Sequence, residues 1–210
     1  MNEKFFSLPE KRQKIIMDAG YRVFSQNSYK KSPMSEIAAE AGISKSLLFH
    51  YFHNKRELYL FLWETCGDIT IRYLTEYGCY EQTDFFEMML QGMRAKLQIL
   101  KEYPNMWKFA VKAFYEKDPA VRPAIWESYR KLLNHKALDV LESLDTGQFL
   151  PGLDLNMMYR EMYLATEGYM WEMLRTDEVS DGEKIEQDFI DMIAFWKKIY
   201  LKKEEKDESN

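Results

Sequence analysis

The chain has 210 residues, 46% of them hydrophobic and 30% charged, with a formal net charge of −5 at pH 7. A chain of that length can bury a sizeable core in one or two small domains, and the balance is ordinary for a soluble globular protein. No run of about 18 apolar residues exists, which excludes a helix that spans a membrane.

The opening residues, MNEKFFSLPEKRQK, lack the long apolar core of a secretory signal. Cys66 and Cys79 have no motif spacing and read as free thiols in a reducing cytosol. The expected location is therefore cytoplasmic, with no membrane partner. Apolar spacing is helical nearly throughout and strict polar-apolar alternation is lacking, so the fold class predicted is all-α. Ser7-Leu8-Pro9-Glu10 has the form of a capping box with proline in the first turn, and predicts a helix over 8–26. Ile15, Ile16, Ala19, Val23 and Phe24 would face inward from it. Ser32-Pro33 opens a helix over 33–40, with proline at its first position. A short helix over 44–51 follows, then a long one over 54–76, opened by the box Asn54-Lys55-Arg56-Glu57 and closed by Tyr77-Gly78. Early apolar residues (Leu58, Tyr59, Phe61, Leu62) make this long helix the natural join between a head and a body.

Beyond it the pattern predicts helices over 84–102, ending before Pro104, over 105–115, and over 120–144 with a start distorted by Pro123. A loop runs from Asp145 to Gly152. Helices over 155–175 and 182–202 complete the body, the last opened by Ser180-Asp181-Gly182-Glu183. The terminal residues 204–210 are charged, lack apolar anchors and are expected to be disordered. No internal repeat is present.

Residues 34–58, MSEIAAEAGISKSLLFHYFHNKREL, carry the most information. Small and apolar residues stand where two short helices must touch: Ile37, Ala38, Ala41 and Ile43, then Leu47, Leu48 and Phe52. Gly42 falls where the chain leaves the first helix, a position that often needs positive φ. The second helix opens with Ser44 and turns polar, basic and aromatic residues away from the packing face: Lys45, Ser46, His50 and Tyr51. This is the layout of a helix-turn-helix, whose second helix enters the major groove of DNA. Charge agrees with it. Residues 1–56 hold 10 Lys and Arg against 5 Asp and Glu, and the remainder holds 19 against 29. A basic head on an acidic body fits a protein that touches nucleic acid with one end, although alone it is a weak statement about partners.

These residues resemble the tetracycline-repressor (TetR) family of bacterial transcription regulators. The resemblance covers roughly residues 8–60. It rests on Ile37-Ala38, on the turn Ala41-Gly42-Ile43-Ser44, on Phe49-His50-Tyr51-Phe52 and on the fourth-helix start Asn54-Lys55-Arg56-Glu57-Leu58. Two departures are Ser46, where many members have glycine or another small residue, and Phe49, where tyrosine is common. The resemblance implies an amino-terminal three-helix DNA-binding domain, residues 1–53, and a carboxyl-terminal helical ligand-binding and dimerisation domain, residues 54–203. It also implies a repressor whose ligand alters the spacing of two heads and so releases DNA.

The amino end of the recognition helix attracts phosphate through its unpaired amides. Ser44 caps it and can donate to phosphate; Lys45 can reach a guanine edge or the backbone; Ser46 sits close to base edges. Leu47 either presses on a thymine methyl or packs in the core, and Phe49 can meet a methyl or sugar. His50 and Tyr51 would meet phosphates or base edges, with half-buried packing as the alternative for Tyr51. Lys55 matches a family position that grips the backbone, and Ser32, capping the preceding helix, is a further phosphate candidate. His50 and His53 lack a convincing third ligand, so no metal is expected, and nothing calls for a cofactor. No nucleophile-base set or phosphate loop appears, so an enzyme is not expected. The competing class is a helical protein-interaction module that retains the head.

One such head reads only a few base pairs, so specificity requires a homodimer and a near-palindromic operator on double-stranded DNA. Apolar rows on the last two helices resemble the family's four-helix interface: Met158, Met162, Ala165 and Tyr169, with Ile185, Phe189, Met192, Ile193 and Trp196. Packing inside the monomer is the alternative. Candidates to line a pocket for a small, largely apolar effector are Met89, Met93, Trp107, Phe114, Trp126, Tyr129, Tyr163, Glu167 and Met170. Each could equally be plain core. Glu167 would favour a cationic ligand unless it points to solvent or pairs with a base.

Overall fold

The computed structural model describes residues 3–131, 144–176 and 181–203. Its helices are α1 (Glu3–Phe6), α2 (Glu10–Gln26), α3 (Met34–Glu40), α4 (Lys45–Tyr51), α5 (Lys55–Glu76), α6 (Phe85–Glu102), α7 (Pro104–Phe114), α8 (122–131), α9 (Leu155–Thr176) and α10 (Gly182–Tyr200). Short 3-10 turns lie at Cys79–Glu81 and Thr146–Gln148. Among the described residues there is no β-strand, only an antiparallel bridge between Phe149 and Leu201. The fold is all-α. The rest of the helix expected over 120–144, and the tail 204–210, lie outside the described residues.

Contacts gather the chain into two units, residues 1–73 with 102–139, and residues 74–101 with 140–210. In the first unit α1 was not foreseen, and it corrects the reading of Ser7. The Ser7 hydroxyl donates to the Lys4 carbonyl at 2.8 Å and so closes α1, while α2 begins at Glu10 behind Pro9 with no side-chain cap. Phe5 explains the arrangement. Its fully buried ring packs 5.0 Å from Phe52 and 5.3 Å from Phe61, a burial worth about 2–3 kcal/mol. Four residues are too few to show a period, so only the tertiary contact reveals the helix.

From α2, Ile16, Ala19, Val23 and Phe24 face inward as expected, but Ile15 is 39% exposed. Helix α5 passes close: a Cβ at Gly20 would stand 2.6 Å from Leu62 Cδ1. Helix α7 seals the other side of α2. Phe109 sits among the rings of Tyr21 (5.4 Å), Tyr59 (5.1 Å) and Phe24 (6.0 Å). Asn105 donates to Asp18 at 3.0 Å and Lys112 to the Ser25 carbonyl at 3.1 Å. Beyond α7, Glu116 accepts the Tyr29 amide at 2.8 Å and Arg56 donates to the Ala120 carbonyl at 2.6 Å. Pro123 falls in the first turn of α8, where a missing N–H costs nothing.

The second unit is built on Phe85, Phe86, Leu144, Phe149, Met158, Met162, Ile193 and Trp196. Aspartates cap its helices: Asp84 accepts from Glu87 N, Asp154 from Asn156 N and Met157 N, and Asp181 from Lys184 N. The last of these places the α10 cap one residue later than the expected box. The loop over 145–152 is stitched down by Leu150 N to Tyr200 O (2.9 Å) and Lys202 N to Gln148 O (3.0 Å).

Candidate nucleic-acid interface

The turn between α3 and α4 follows from its sequence. Ala41 ends α3, Gly42 takes φ +62°, and Ile43 N returns to Ala38 O at 2.9 Å while Gly42 N bonds Ala39 O at 3.0 Å. That is a Schellman closure, and its left-handed residue suits glycine. Arg12 of α2 donates to the Gly42 carbonyl at 3.2 Å and braces the turn; its role had no signature in the sequence. Ser44 then caps α4, accepting from Leu47 N at 3.1 Å, with its hydroxyl 3.0 Å from that of Ser46.

Helix α4 divides cleanly into two faces. Leu48 and Tyr51 are buried, and Phe52 follows them inward. Ser44, Lys45, Ser46, Leu47, Phe49 and His50 are exposed. Leu47, open between surface and core in the sequence, is 37% exposed, as is Phe49. Lys45 Nζ lies 5.8 Å over the Phe49 ring, one turn away on the same face. Three candidates stand elsewhere. Ser32 is wholly buried and its hydroxyl donates to the Ser28 carbonyl at 3.0 Å, so it neither caps α3 nor meets solvent. Tyr51 is 8% exposed, with its ring edge-on to Phe5 at 6.1 Å, and is a packing residue. Lys55 donates to the carbonyls of Tyr29 (2.8 Å) and Lys30 (3.2 Å) and lies 4.5 Å over the Tyr29 ring. It ties the loop before α3 to the start of α5. Asn54 caps that start, accepting from Glu57 N at 2.9 Å.

The effector candidates fall into two groups. Trp107, Phe114, Trp126 and Tyr129 belong to the first unit and are half-buried; Phe114 lies 5.2 Å from Trp126 and 4.9 Å from Tyr129. Met89, Met93, Tyr163, Glu167 and Met170 belong to the second. There Met93 is buried, Met89 packs on the core, and Glu167 accepts from the Tyr163 hydroxyl at 2.9 Å. A surface cleft of about 550 Å³ opens over Lys14, Ile15 and Asp18 of α2, and no effector candidate lines it.

Of the interface candidates, Met158, Met162, Ile185, Ile193 and Trp196 are buried within the second unit. Phe189 and Met192 pack against that core, and Tyr169 donates to Asp188 at 2.8 Å, joining α9 to α10. Only Ala165 is exposed. The expected row is thus the inward one. The outward apolar row is Met157, Leu164 and Trp171 on α9, spaced seven apart, with Ile190, Phe195 and Ile199 on α10. Two apolar rows at helical spacing were present in the sequence, and periodicity alone does not say which faces in.

A braced turn, a capped second helix and one exposed polar-basic face define a helix-turn-helix DNA-binding protein with a helical body. In the head, residues 16–61 match the family model of the bacterial regulatory proteins, tetR family. The HTH-type transcriptional regulator RutR of Escherichia coli K12 is 22% identical over 160 residues, which are 75% of this chain and 73% of RutR. A TetR family transcriptional regulator from Chloroflexus aurantiacus superposes with a TM-score of 0.71 at 21% identity, covering 96% of this chain and 98% of that one. The regulator FadR from Bacillus subtilis, solved with stearoyl-CoA, gives a TM-score of 0.61 at 18% identity over 84% and 96%. These structural likenesses show the fold. The chain is thus similar to DNA-binding transcriptional regulators that carry this head.

Proposed function

We propose that this protein is a cytoplasmic homodimeric repressor, without enzymatic activity. It binds a near-palindromic operator through residues 1–53 and is released by a small, largely apolar effector held in residues 54–203. The observation that carries the reading is the exposed face of α4, where Ser44, Lys45, Ser46, Leu47, Phe49 and His50 stand out of the packing. Lys45 and the Ser44–Ser46 hydroxyl pair meet phosphates and base edges, and Leu47 meets a thymine methyl.

Two heads are required because a single α4 spans too few base pairs. The outward rows of α9 and α10 supply the pairing surface, since Met157, Leu164, Trp171 and Phe195 are large apolar side chains left exposed to solvent. Effector control needs a path to the head. Helix α7 provides it, because Phe109 is gripped by α2 and α5 together. FadR's bound stearoyl-CoA supports an effector with a long apolar part. No helix among the described residues is long and apolar enough to cross a membrane.

The test is binding of purified protein to labelled DNA from its own upstream region, in competition with unrelated duplex. Preferential binding, with affinity falling steeply as salt rises, supports the reading. Equal affinity for both duplexes removes it in favour of an interaction module.

A further inference from the structure

Among the described residues, the buried side-chain nitrogen or oxygen that meets no hydrogen-bond partner is the indole Nε1 of Trp107, on α7. Buried donors are nearly always paired, because burial costs them the bonds they made to water. A donor left over is a place to look for a missing acceptor.

Its position on α7 is informative. Met106, Phe109 and Ala113 form the buried face that grips the head. Trp107, Val111 and Phe114 recur at i, i+4 and i+7 on a second face and are half-buried throughout. At its far end Phe114 joins the rings of Trp126 and Tyr129, themselves 6.0 Å apart. Seven residues of helix separate the Trp107 donor from Phe114 by about 10 Å. These three side chains are apolar and uncharged, and they offer one unpaired N–H.

We infer that this face of α7 seats the effector, and that Trp107 donates to it. The ligand is an uncharged molecule with an apolar body about 10 Å long that carries a carbonyl or ether oxygen. The inference rests on the ligand-responsive reading above and names the ligand's chemistry. A cation would be repelled by the N–H at the point where polarity is available. An anion would cost more to bury against these three uncharged side chains than a neutral acceptor.

The N–H is closed off from solvent here, so the side chains over it must move as the ligand enters. The unpaired donor penalises the closed arrangement, and an entering acceptor removes that penalty. The ligand therefore prefers the opened arrangement, which is the differential affinity a switch requires. Because Phe109 lies on the same rigid helix, displacement of α7 is felt by α2.

The test uses a matched pair of probes, benzophenone and diphenylmethane, which differ in one carbonyl oxygen. Full-length protein labelled with 15N at its indoles is titrated with each. Benzophenone is expected to bind about tenfold more tightly. One indole proton, assigned by its absence from Trp107→Phe, should move downfield with benzophenone alone. In Trp107→Phe the two probes should bind equally. Equal affinity for the unaltered protein, a preference retained in Trp107→Phe, an unmoved indole proton, or no saturable binding of either probe overturns the inference. Upstream-DNA binding by the same preparation is read separately; its loss would sink the repressor reading instead.

Discussion

On the reading proposed above, Lys45 is the residue at which DNA recognition is tested most directly. It is exposed in the first turn of α4, next to the Ser44 cap, with its ammonium over the Phe49 ring. Lys45→Glu should weaken operator binding by about tenfold or more and lower the slope of log affinity against log salt by about one. The fold should survive, because the side chain contributes nothing to the core; an unchanged salt slope would remove Lys45 from the interface. Cys66 makes a prediction of another kind. It is buried on α5, and burial pushes its thiol up from 9.0 to about 12. The unfolded chain therefore releases that proton first, and stability is lost as pH rises from about 9 toward 12, by up to about 1.4 kcal/mol per pH unit from this group. Burial also raises the hydroxyls of Tyr21 and Tyr59, which steepens the same loss. Urea melts at pH 8 and pH 10 should show a smaller decline for Cys66→Ala than for the unaltered protein; parallel declines would refute it. Single residues were legible where chemistry and spacing agreed, as at Ser44 and Gly42. They were not where a partner distant in sequence decides the role. Ser32 and Lys55 look like phosphate ligands until the carbonyls of Ser28, Tyr29 and Lys30 claim them.

Helices were legible as elements because caps and breakers bound them locally. Asn54, Asp154 and Asp181 each accept a first-turn amide, and Gly42 and Gly78 take positive φ just past helix ends. Gly42→Ala tests this local logic. It should cost about 1–2 kcal/mol through the left-handed backbone alone, because no atom lies within 4 Å of the added methyl. A smaller loss in denaturant would mean the turn relaxes. What spacing does not carry is which element an amphipathic helix packs upon. Helix α7 showed its apolar stripe plainly, yet its union with α2 depends on Phe109 meeting Tyr21, Phe24 and Tyr59, at separations of 50 residues or more in sequence. Phe109→Ala should remove about 3–5 kcal/mol of stability. A loss below about 1 kcal/mol, the range of a surface change, would show that α7 is not anchored to the head.

For the whole molecule, the question is how two copies meet, and the two faces of α9 and α10 give opposite forecasts. Met162 and Ile193 close the core of their own unit, at 1% and 7% exposure. Shortening either to alanine should destabilise each subunit by about 2–5 kcal/mol while leaving subunit association to follow stability. Leu164 and Phe195 are 57% and 60% exposed. An aspartate at either adds little strain within one subunit but buries a charge wherever the two subunits press together. Leu164→Asp with Phe195→Asp should therefore sediment as a folded monomer with an unshifted far-ultraviolet spectrum. Its operator affinity should fall by about a hundredfold or more, toward the non-specific level, since one head alone reads half a site. If the doubly substituted protein remains dimeric, subunits join through another surface, and the outward rows of α9 and α10 lose their assignment. If it is monomeric yet binds the operator unimpaired, the demand for two heads is itself mistaken.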